Sequence, residues 1–591
     1  MLAEVTMSNR LTIFSIVVFL LLASIPAALA SWDVRSDTWV GADALGRKLP
    51  TIAECGPQKP GKTVGLFYFL WHGTHGTGGP YDIPKIMAAN PANPQWGPVH
   101  AFHHWSESEW GYYLSLDAWV MRKHVAELCD AGVDMLVIDV TNAYTYHNEY
   151  MLLCSVLSRF KAAEGRAPRI CFMANSNSDA TVMRLYNDFY AKSYYPDLWF
   201  RWQGKPLIMA SPDTLPQKIK DFFTFRQSWA WHDPNGWYKD GKDKWPWLDY
   251  YPQAIGWHVP GKAEMISVTT AQHPTTNTGR SYHNGKQPEP ADWRTAEGLC
   301  YKEQWDYALK VDPEFVFVGG WNEWCAMRFL STGNDMFLGK KLPAGETYFV
   351  DAYTPEYSRD IEPMKGGHSD NYYYQMISNI RRYKGVRAQE PASKPASVRI
   401  DGNFDEWTSI KPEYRDHIGD TEHRASKGWG NTGTYTDTTG RNDFVRARVA
   451  RDAKYIYFYV ETKQPITSYK DPNWMMLFIN ADQGHNTGWN GYDLLVNWPP
   501  MDASKTSVKR NTGGWNWKTA ATADYRVRGN KMEVRVPCSI LGKSGKRVAF
   551  DFHWADNIRK PGDITEFVVS GDSAPSRRFN YRYDTGSSVA P

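Results

Sequence analysis

The feature that most constrains the fold is a regular alternation of short apolar runs with helix-like stretches between residues 60 and 385. VGLFYFL (64–70), VDMLVIDV (133–140) and EFVFVGG (314–320) are continuously apolar, which predicts strands buried on both faces. The intervals have helical spacing, as in WVMRKHVAELCDAG (119–132), which ends on a glycine. Buried strands separated by helices predict a parallel sheet covered by helices.

The number of these units decides between two α/β architectures. Seven or eight units over about 320 residues match a (β/α)8 TIM-type barrel with long loops, and this is the predicted fold. A doubly wound open sheet is the alternative. It usually has a glycine-rich phosphate turn after its first strand, and FLWHGTHGTGG (69–79) lacks that spacing.

The C-terminal third has a different pattern. FVRARVARDAKYIYFYVET (444–462) alternates apolar and polar residues, and similar runs follow between Gly, Asn and Asp clusters, which predicts an all-β sandwich. We therefore predict a barrel domain over 31–386, a polar, proline-bearing linker over 387–397 and a sandwich domain over 398–591. A structural accessory domain without a ligand is the alternative for the last segment.

The first thirty residues have the pattern of a secretory signal peptide. Arg10 precedes a short apolar run, and Ala28-Leu29-Ala30 has the small-x-small form of a cleavage site. An uncleaved anchor is the alternative, although the run is short for a membrane span. We expect a secreted protein, periplasmic or extracellular, that is not held by a membrane after cleavage of residues 1–30.

Charge and cysteine content exclude some other classes. The formal net charge of +3, from 67 basic and 64 acidic residues, gives no reason to expect nucleic acid as a partner. None of the seven cysteines forms a CxxC pair, so no zinc site is indicated, and their disulfide pairing cannot be deduced. The 27 Trp and 34 Tyr residues are instead typical of proteins that stack rings against sugars.

Loops at the carboxyl ends of barrel strands build active sites, so the residues directly after each apolar run are the candidates. Glycoside cleavage typically needs two carboxyl groups. Glu323, between two indoles that would desolvate it, is the first candidate, and Asp139 is the second. A structural ion pair for Glu323, and a helix cap or an arginine partner for Asp139, are the alternatives.

Polar and aromatic side chains at the same strand ends suit a polyhydroxylated ligand. A metal site formed by the nearby histidines lacks a supporting ligand spacing. The predicted sugar-binding residues are Trp71, His72, His104, Asn142, Asn175, Trp257, Trp321 and Asn322.

The segments VGLFYFLWHG, AGVDMLVIDVTN and GGWNEWCAM resemble the glycoside hydrolase family 99-like group, which includes endo-α-mannosidases and WbsX-type proteins. The resemblance spans about 65–385, and Asn-Glu-Trp at 322–324 is its most specific part. It implies a (β/α)8 barrel and retaining hydrolysis of α-linked sugars. In the mannosidases the glutamate matched by Glu323 acts as a base on the substrate's own 2-hydroxyl.

The sequence departs from this group at Ala326, where the group has its acid. An insertion would have displaced that acid to the segment holding Asp351, Glu356, Asp360 and Glu362, and Ile-Glu-Pro at 361–363 resembles a tripeptide that follows the motif in the group. Glu362 and Asp139 are therefore the candidates for the second carboxyl group.

These residues predict a secreted glycoside hydrolase that needs no cofactor for catalysis and acts on a polysaccharide or glycan. A non-hydrolytic polysaccharide-binding protein on a degenerate barrel is the alternative, which Ala326 supports. An enzyme that processes surface glycans during polymer synthesis follows from the WbsX likeness, but export disfavours it.

VRIDGNFDEW (398–407) and the strands after it resemble family 9-type carbohydrate-binding domains, which are sandwiches that often hold a structural calcium ion. The resemblance implies Asp401, Asp405 and Asp482 as oxygen ligands for that ion. Trp489, Trp515 and Trp517 are either sugar platforms or core residues.

Overall fold

The computed structural model describes residues 32–542 and 547–586. The predicted signal peptide lies outside this range. Within it, no helix combines the length and the hydropathy that a membrane crossing requires. All seven cysteines fall in the described part, and each is a buried free thiol.

A five-stranded parallel sheet forms the centre of the N-terminal half. Its strands follow the predicted apolar runs and are almost wholly buried, as continuous apolar sequences require. The sheet confirms the predicted α/β class. In spatial order its strands are Arg169–Met173, Met135–Asp139, Thr63–Tyr68, Phe315–Val318 and Met265–Val268.

Further segments extend this sheet beyond the Arg169–Met173 strand. A parallel bridge joins Met173 to Met209, next to the strand Lys205–Ile208, which pairs in parallel with Thr224–Phe225. Parallel bridges then connect Gln227 to Lys244 and Ala230 to Leu248. This order and direction fit an α/β barrel, while closure into a complete eight-unit barrel stays a prediction.

Helices fill the connections between successive strands, as crossover connections of a parallel sheet require. Asp117 caps the first long helix by accepting the backbone N–H groups of Trp119 and Val120 at 3.1 and 3.2 Å. Gly132 ends it with a φ of 85° and turns the chain into the next strand. Among the described residues, the α-helices of six or more residues are Ile83–Ala89, Ala118–Ala131, His147–Glu164, Ser178–Leu185, Gln217–Phe222, Leu299–Val311 and Asn371–Lys384.

A smaller four-stranded sheet is built from the loops that follow the first and last strands of the parallel sheet. In spatial order it contains Thr347–Phe349, Cys325–Leu330, Phe102–His104 and Tyr81–Asp82. It sets the conformation of the chain directly after Glu323 and Trp324.

The C-terminal part contains a large antiparallel sheet, as the alternating sequence predicts. Residues 385–400 before it contain neither helix nor strand. The predicted domain limits and the two-layered sandwich remain predictions. In spatial order, the strands of this sheet are Glu413–Arg415, Phe444–Arg451, Tyr455–Thr462, Lys531–Pro537, Trp517–Arg528, Lys505–Asn511, Leu494–Pro500, Met476–Asn480, Ala549–Asp556 and Asp572–Ala574. An additional strand, Tyr581–Asp584, pairs with Ala549–Asp556.

Buried ion pairs join the two halves. Arg577 donates to Glu109 and to Glu127, in both cases at 2.6 Å. Arg424 donates to Asp117 at 2.8 and 2.9 Å, so the residue that caps the first long helix also holds the antiparallel half. Leaving one partner of such a buried pair alone is costly, and the halves are therefore coupled.

Candidate active site

Two glycines bring the chain from the Phe315–Val318 strand into the site. A Cβ atom on Gly319 would collide with the side chain of Thr269, and one on Gly320 would lie 2.8 Å from Asp360 Oδ1. Only glycine therefore fits this close approach, which explains why the strand ends in Gly-Gly before Trp321.

Glu323 lies at the carboxyl edge of the parallel sheet and forms an ion pair with Arg359. The side chains of Glu323 and Arg359 are only 7% and 3% exposed. Asp360, next to Arg359, accepts the backbone N–H of Glu323 at 2.8 Å. The segment 359–360 therefore fixes both the carboxylate and the main chain of Glu323.

Arg359 has further partners in the site. Its Nη1 donates to the backbone oxygen of Asp351 at 2.6 Å, and its Nη2 lies 3.8 Å from Asp351 Oδ1. The guanidinium group lies 5.0 Å from the centre of the Trp247 ring, a cation–π distance. Asp351 is the accessible acid of this group, because its side chain is 44% exposed.

Asp139 is the last residue of the Met135–Asp139 strand, and it is buried. Its Oδ1 accepts the backbone N–H of Thr141 at 2.9 Å. Burial, which outweighs that hydrogen bond, raises the pKa of Asp139, and the charge of Asp351 raises it further.

Glu323 and Asp139 influence each other electrostatically. Burial raises the pKa of Glu323; the ion pair with Arg359 offsets part of this rise, and the charges of Asp351, Asp360 and Asp139 add to it. Several carboxyl groups thus share one guanidinium group in a site of low exposure. Such a group resists losing all its protons near neutral pH.

Aromatic side chains from several strand ends surround these acids. His273 Nε2 lies 3.8 Å from Asp351 Oδ1, and the ring of His273 makes an edge contact with Trp231 at 5.0 Å. The pKa of Tyr146 is raised mainly by burial and further by the charges of Asp139, Glu149, Tyr144 and Glu323. Tyr146 therefore lies near the same acids, and its hydroxyl contacts His75 at 3.0 Å.

Three buried polar atoms of this site lack a hydrogen-bond partner among the described residues. They are Trp247 Nε1, His273 Nε2 and Arg359 Nε. Buried polar groups are normally satisfied, so these atoms are the ones that water or a polar ligand would engage. Carboxylates, indoles and free polar atoms together suit a ligand rich in hydroxyl groups.

The two tryptophans that flank Glu323 point into the protein core. Trp321 is fully buried and makes edge contacts with His124 and Tyr373 at 5.5 and 6.2 Å. Trp324 stacks on Trp105 with ring centres 4.4 Å apart. The indoles therefore hold the turn around Glu323 and leave no ring face for a sugar.

Asn322 ties two strand ends together. Its Oδ1 accepts the backbone N–H of Phe69 at 2.9 Å, and its Nδ2 donates to the backbone oxygen of Phe69 at 3.1 Å. Both ends of the amide are therefore occupied, and this buried side chain serves the scaffold, whereas the sequence predicted contact with substrate.

Glu362 is wholly buried away from solvent. It accepts hydrogen bonds from Ser108 Oγ, from Tyr113 at 2.7 Å and from Trp324 Nε1 at 2.6 Å, and His124 Nε2 lies 3.3 Å away. Burial would raise the pKa of Glu362, but His124 and the hydroxyl donors outweigh it and lower that pKa. A buried carboxylate held ionised in this way is poorly suited to donate a proton, contrary to the role predicted for Glu362.

Ala326 and two of the predicted histidines lie outside the group around Glu323. Ala326 pairs with His103 across two strands and packs among buried apolar residues. His104 packs against Tyr112 and Trp429, each with ring centres 4.9 Å away. His72 stacks on Trp71, and burial lowers its pKa to about 4.

The other predicted sugar-binding residues divide between the two edges of the parallel sheet. The ring centres of Trp71 and His75 are 6.5 Å apart, and His75 contacts the Tyr146 hydroxyl, so Trp71 borders the site. Asn142 is exposed and Asn175 half-buried on loops after their strands. Trp257 follows Gly256, which bridges to Met265 at the amino end of its strand, so Trp257 lies at the opposite edge.

The implied calcium ligands do not meet. Asp401, Asp405 and Asp482 are exposed. Asp401 Oδ1 accepts the backbone N–H of Asn403 at 2.9 Å, and Asp482 Oδ1 accepts that of Gly484 at 2.7 Å, as in ordinary turns. Across the described ranges, the three do not form a cluster close enough to hold one ion.

A separate cleft of about 840 Å³ lies between the two halves, lined by residues such as Trp110, Tyr435 and Tyr492. It does not include Glu323 or Asp139. Three of its four arginines pair with acids across the interface: Arg578 with Asp370, Arg577 with Glu109 and Arg424 with Asp117. We therefore assign this cleft to the junction between the halves.

No family model matches the sequence, and no curated protein matches it. Among solved structures, the chain is similar to the GH99 endo-α-mannosidase from Bacteroides thetaiotaomicron. The structure in complex with BIS-TRIS-propane has 14% identity and a TM-score of 0.33, and covers 55% of this chain and 98% of its own. A second structure of that enzyme has 15% identity, a TM-score of 0.32 and the same coverage. At these values, the function of this chain must be argued from its own geometry.

Proposed function

We propose that this protein is a secreted glycoside hydrolase whose site around Glu323 cleaves glycosidic bonds in a polysaccharide or glycan substrate. The observation that carries this proposal is the group of three carboxyl groups, Asp139, Glu323 and Asp351, near a single buried guanidinium group. Glycoside cleavage requires one carboxyl group that holds a proton and one that is ionised. Neighbouring acids that cannot all ionise provide this combination.

The contacts of each acid suggest its role. Asp139 forms no ion pair of its own in the described chain, and its buried position favours the protonated form, so it is assigned as the acid that protonates the departing oxygen. Burial raises the pKa of Glu323 as well, but the Arg359 guanidinium in contact with it favours the charged form, so Glu323 is assigned as the ionised carboxylate at the anomeric carbon or its neighbouring hydroxyl. Asp351, the more exposed acid, lies where a water molecule or a sugar hydroxyl can reach it.

A sugar ring suits the remaining surface of the site. Trp231 is half-buried, so part of its ring can stack against the CH groups of a sugar, whereas Trp71 is buried against His72. The free atoms Trp247 Nε1 and His273 Nε2 offer hydrogen bonds to hydroxyl groups.

A non-hydrolytic polysaccharide-binding protein is the second candidate. Two observations favour it: Ala326 packs in an apolar core, and Arg359 neutralises the charge of Glu323. In this case the same polar atoms would bind the glycan without cleaving it.

One experiment separates the two functions. The purified protein is incubated with a panel of algal, plant and microbial polysaccharides, and new reducing ends and binding are both measured. Hydrolysis predicts sugar release that Asp139→Asn and Glu323→Gln each lower by about 100-fold or more. Binding without release in the wild type and in both variants would support the second candidate.

Asp482→Asn is the matched control for these variants. It also removes one carboxylate, but on an exposed turn of the antiparallel half. It should release sugar at the wild-type rate, so an equal loss in all three variants would point to a preparation artefact.

A further inference from the structure

Three aspartates of the antiparallel half meet at its junction with the parallel-sheet half. Asp416 follows the Glu413–Arg415 strand, Asp420 lies four residues later, and Asp572 begins the Asp572–Ala574 strand. One carboxylate oxygen of each lies within 4.8 Å of those of the other two. In residues 32–542 and 547–586, no other trio of His, Cys, Asp or Glu side chains is grouped so closely.

The carboxylate of Asp416 is the unusual member of this group. Asp416 is 0% exposed, and neither of its oxygens accepts a hydrogen bond of normal geometry from any described residue. Oδ1 of Asp420 is also shielded from solvent without a partner. A buried carboxylate without a partner is unfavourable in its ionised form, so these oxygens need either a proton or a cation that the chain does not supply.

The neighbouring acids strengthen this need for a proton or a cation. The pKa of Asp416 is raised mainly by burial and further by the charges of Asp420 and Asp572. A weak contact with the His417 backbone offsets only part of this rise. Asp443 adds a fourth acid, whose pKa is raised to about 6 by burial and by Asp420.

The cations near the group are directed elsewhere. Lys463 Nζ lies 3.7 Å from Asp443 Oδ2. Lys123 donates to the backbone oxygen of Asp420 at 3.2 Å, and Arg122 to that of Ile418, also at 3.2 Å. None of these groups donates to the Asp416 carboxylate, although Lys123 lies near enough to act on the charge of Asp572.

We infer that Asp416, Asp420 and Asp572 bind a calcium ion at the junction of the two halves. The donor set consists only of carboxylate oxygens, which calcium and magnesium prefer, and contains no imidazole or thiolate for zinc or copper. Calcium accepts six to eight oxygens in an irregular arrangement, as three carboxylates and water would supply, whereas magnesium requires a near-ideal octahedron. A cavity of about 40 Å³ borders Asp420 and Asp572 and has room for a water ligand.

The ion would fix the loop that docks the antiparallel half on the Ala118–Ala131 helix. Beyond the two contacts above, Trp119 Nε1 donates to the backbone oxygen of Glu422 at 2.8 Å. Residues 418–422 thus give three backbone oxygens to one helix, while Asp416 and Asp420 hold the same loop to Asp572 through the metal. Calcium therefore couples the junction to the antiparallel sheet.

Calcium binding by the full-length protein tests this inference without any activity assay. The protein is stripped with EGTA and titrated with CaCl₂ by calorimetry, and thermal unfolding is followed in EGTA and in calcium. We expect one calcium ion per chain and a higher Tm in calcium, because the ion binds the folded state. Magnesium at the same concentration should give a smaller increase.

Two variants make the result specific. Asp416→Asn should weaken calcium binding by about tenfold or more. It should also raise the Tm in EGTA, because it removes a buried charge that lacks a partner. Asp420→Asn should also weaken calcium binding. Because Asp420 is only half-buried, this variant should still fold, so it tests the site even if Asp416→Asn misfolds.

Asp482→Asn is the control, since Asp482 is a calcium ligand implied by the sequence resemblance. It should bind calcium as the wild type does. The inference is overturned if the wild type takes up no calcium, if Asp416→Asn and Asp420→Asn bind it as tightly as the wild type, or if only Asp482→Asn loses it.

Discussion

Glu323 and Arg359 form an ion pair in which both side chains are almost completely buried. The pair has two consequences that must be separated. It holds the carboxylate at the carboxyl edge of the sheet, and it makes the fold depend on both partners. An activity loss in a Glu323 variant is therefore informative only when stability is measured beside it.

Glu323→Gln should lower the free energy of unfolding by about 3 kcal/mol, because it leaves the Arg359 guanidinium buried without its counter-charge. The double variant Glu323→Gln/Arg359→Met should recover part of this loss. Chemical denaturation measures both variants, and sugar release is assayed on the same samples. If the double variant releases sugar as the wild type does, Glu323 is purely structural.

Asp351→Asn should separate activity from stability, because Asp351 is the exposed acid of the site. We expect the free energy of unfolding to change by about 0.5 kcal/mol or less, as for most surface substitutions. Sugar release should fall by about 100-fold if Asp351 takes part in proton transfer. An unchanged rate would remove Asp351 from the mechanism and leave Asp139 and Glu323 as the pair.

Gly319→Ala should lower the free energy of unfolding by about 1–3 kcal/mol, because the added methyl group would collide with Thr269. Thr269→Ser removes the colliding carbon atom, so the double variant should regain stability. Thermal and chemical unfolding of the single and double variants measure this coupling. Additive effects of the two substitutions would contradict the proposed collision.

His417 should give the protein a pH-dependent stability above neutral pH. Its Nε2 lies 3.1 Å from Asp130 Oδ1, and its Nδ1 lies 3.2 Å from Glu164 Oε2. The two acids belong to two helices of the other half. Burial alone would lower the pKa of His417, but these two acids outweigh it and raise it to about 10. A raised folded-state pKa means that the stabilisation is complete below the unfolded value of about 6.5 and is lost as pH rises through about 10.

The test compares the wild type with His417→Gln by denaturant unfolding at pH 6, 8 and 10. The wild type should be more stable by on the order of a few kcal/mol at pH 6, and the difference should shrink steadily towards pH 10. A difference independent of pH would show that His417 contributes packing and not charge.

Glu362 should make stability depend on pH in the acidic range, with the opposite sign to His417: stability falls as pH falls. Its pKa is lowered in the folded state, so its stabilisation is present above the ordinary carboxyl value of about 4.3 and is lost as pH falls through the folded value. Glu362→Gln should therefore flatten the loss of stability below pH 4.5 relative to the wild type. Unfolding curves between pH 3 and 6 measure this difference.

The fold class was predictable because it depends on periodicity. Continuous apolar runs such as Met135–Asp139 require burial on both faces, and the structure places them in a parallel sheet. The alternating pattern of Phe444–Arg451 likewise predicts an antiparallel strand, and the structure has one. Such patterns are local, so the sequence alone contains them.

The site was only partly predictable, because side-chain direction is set by tertiary contacts. The position of Glu323 after a buried strand predicts a residue at the sheet edge, but nothing local shows that Asn322 turns to bind the backbone of Phe69. Arg359 was missed as a site residue because it lies 36 positions from its partner and belongs to no recognised motif. Trp247 was missed because no apolar run precedes it, and His273 was missed because it lies five residues beyond the end of the Met265–Val268 strand.

The predicted metal ligands show the same limit. The family resemblance implied Asp401 and Asp405 as ligands of one calcium ion, but Asp401 lies on an exposed turn and Asp405 is exposed at the start of a 3-10 helix. Asp416 follows the strand at one end of the antiparallel sheet order and Asp572 begins the strand at the other end, so only the tertiary fold brings them together. Long-range pairing of this kind leaves no spacing pattern in the sequence.

The buried pairs of Arg577 with Glu127 and of Arg424 with Asp117 have a practical consequence for anyone who wishes to truncate the protein. A fragment that ends near residue 390 would keep the acids and lose both guanidinium groups, and the complementary fragment would carry bare cations on what had been its concealed face. Each piece made alone should therefore be poorly soluble, whereas co-expression of the two should let them reassemble. Shortened versions for crystallisation or engineering are better designed by trimming exposed loops than by cutting between the two halves.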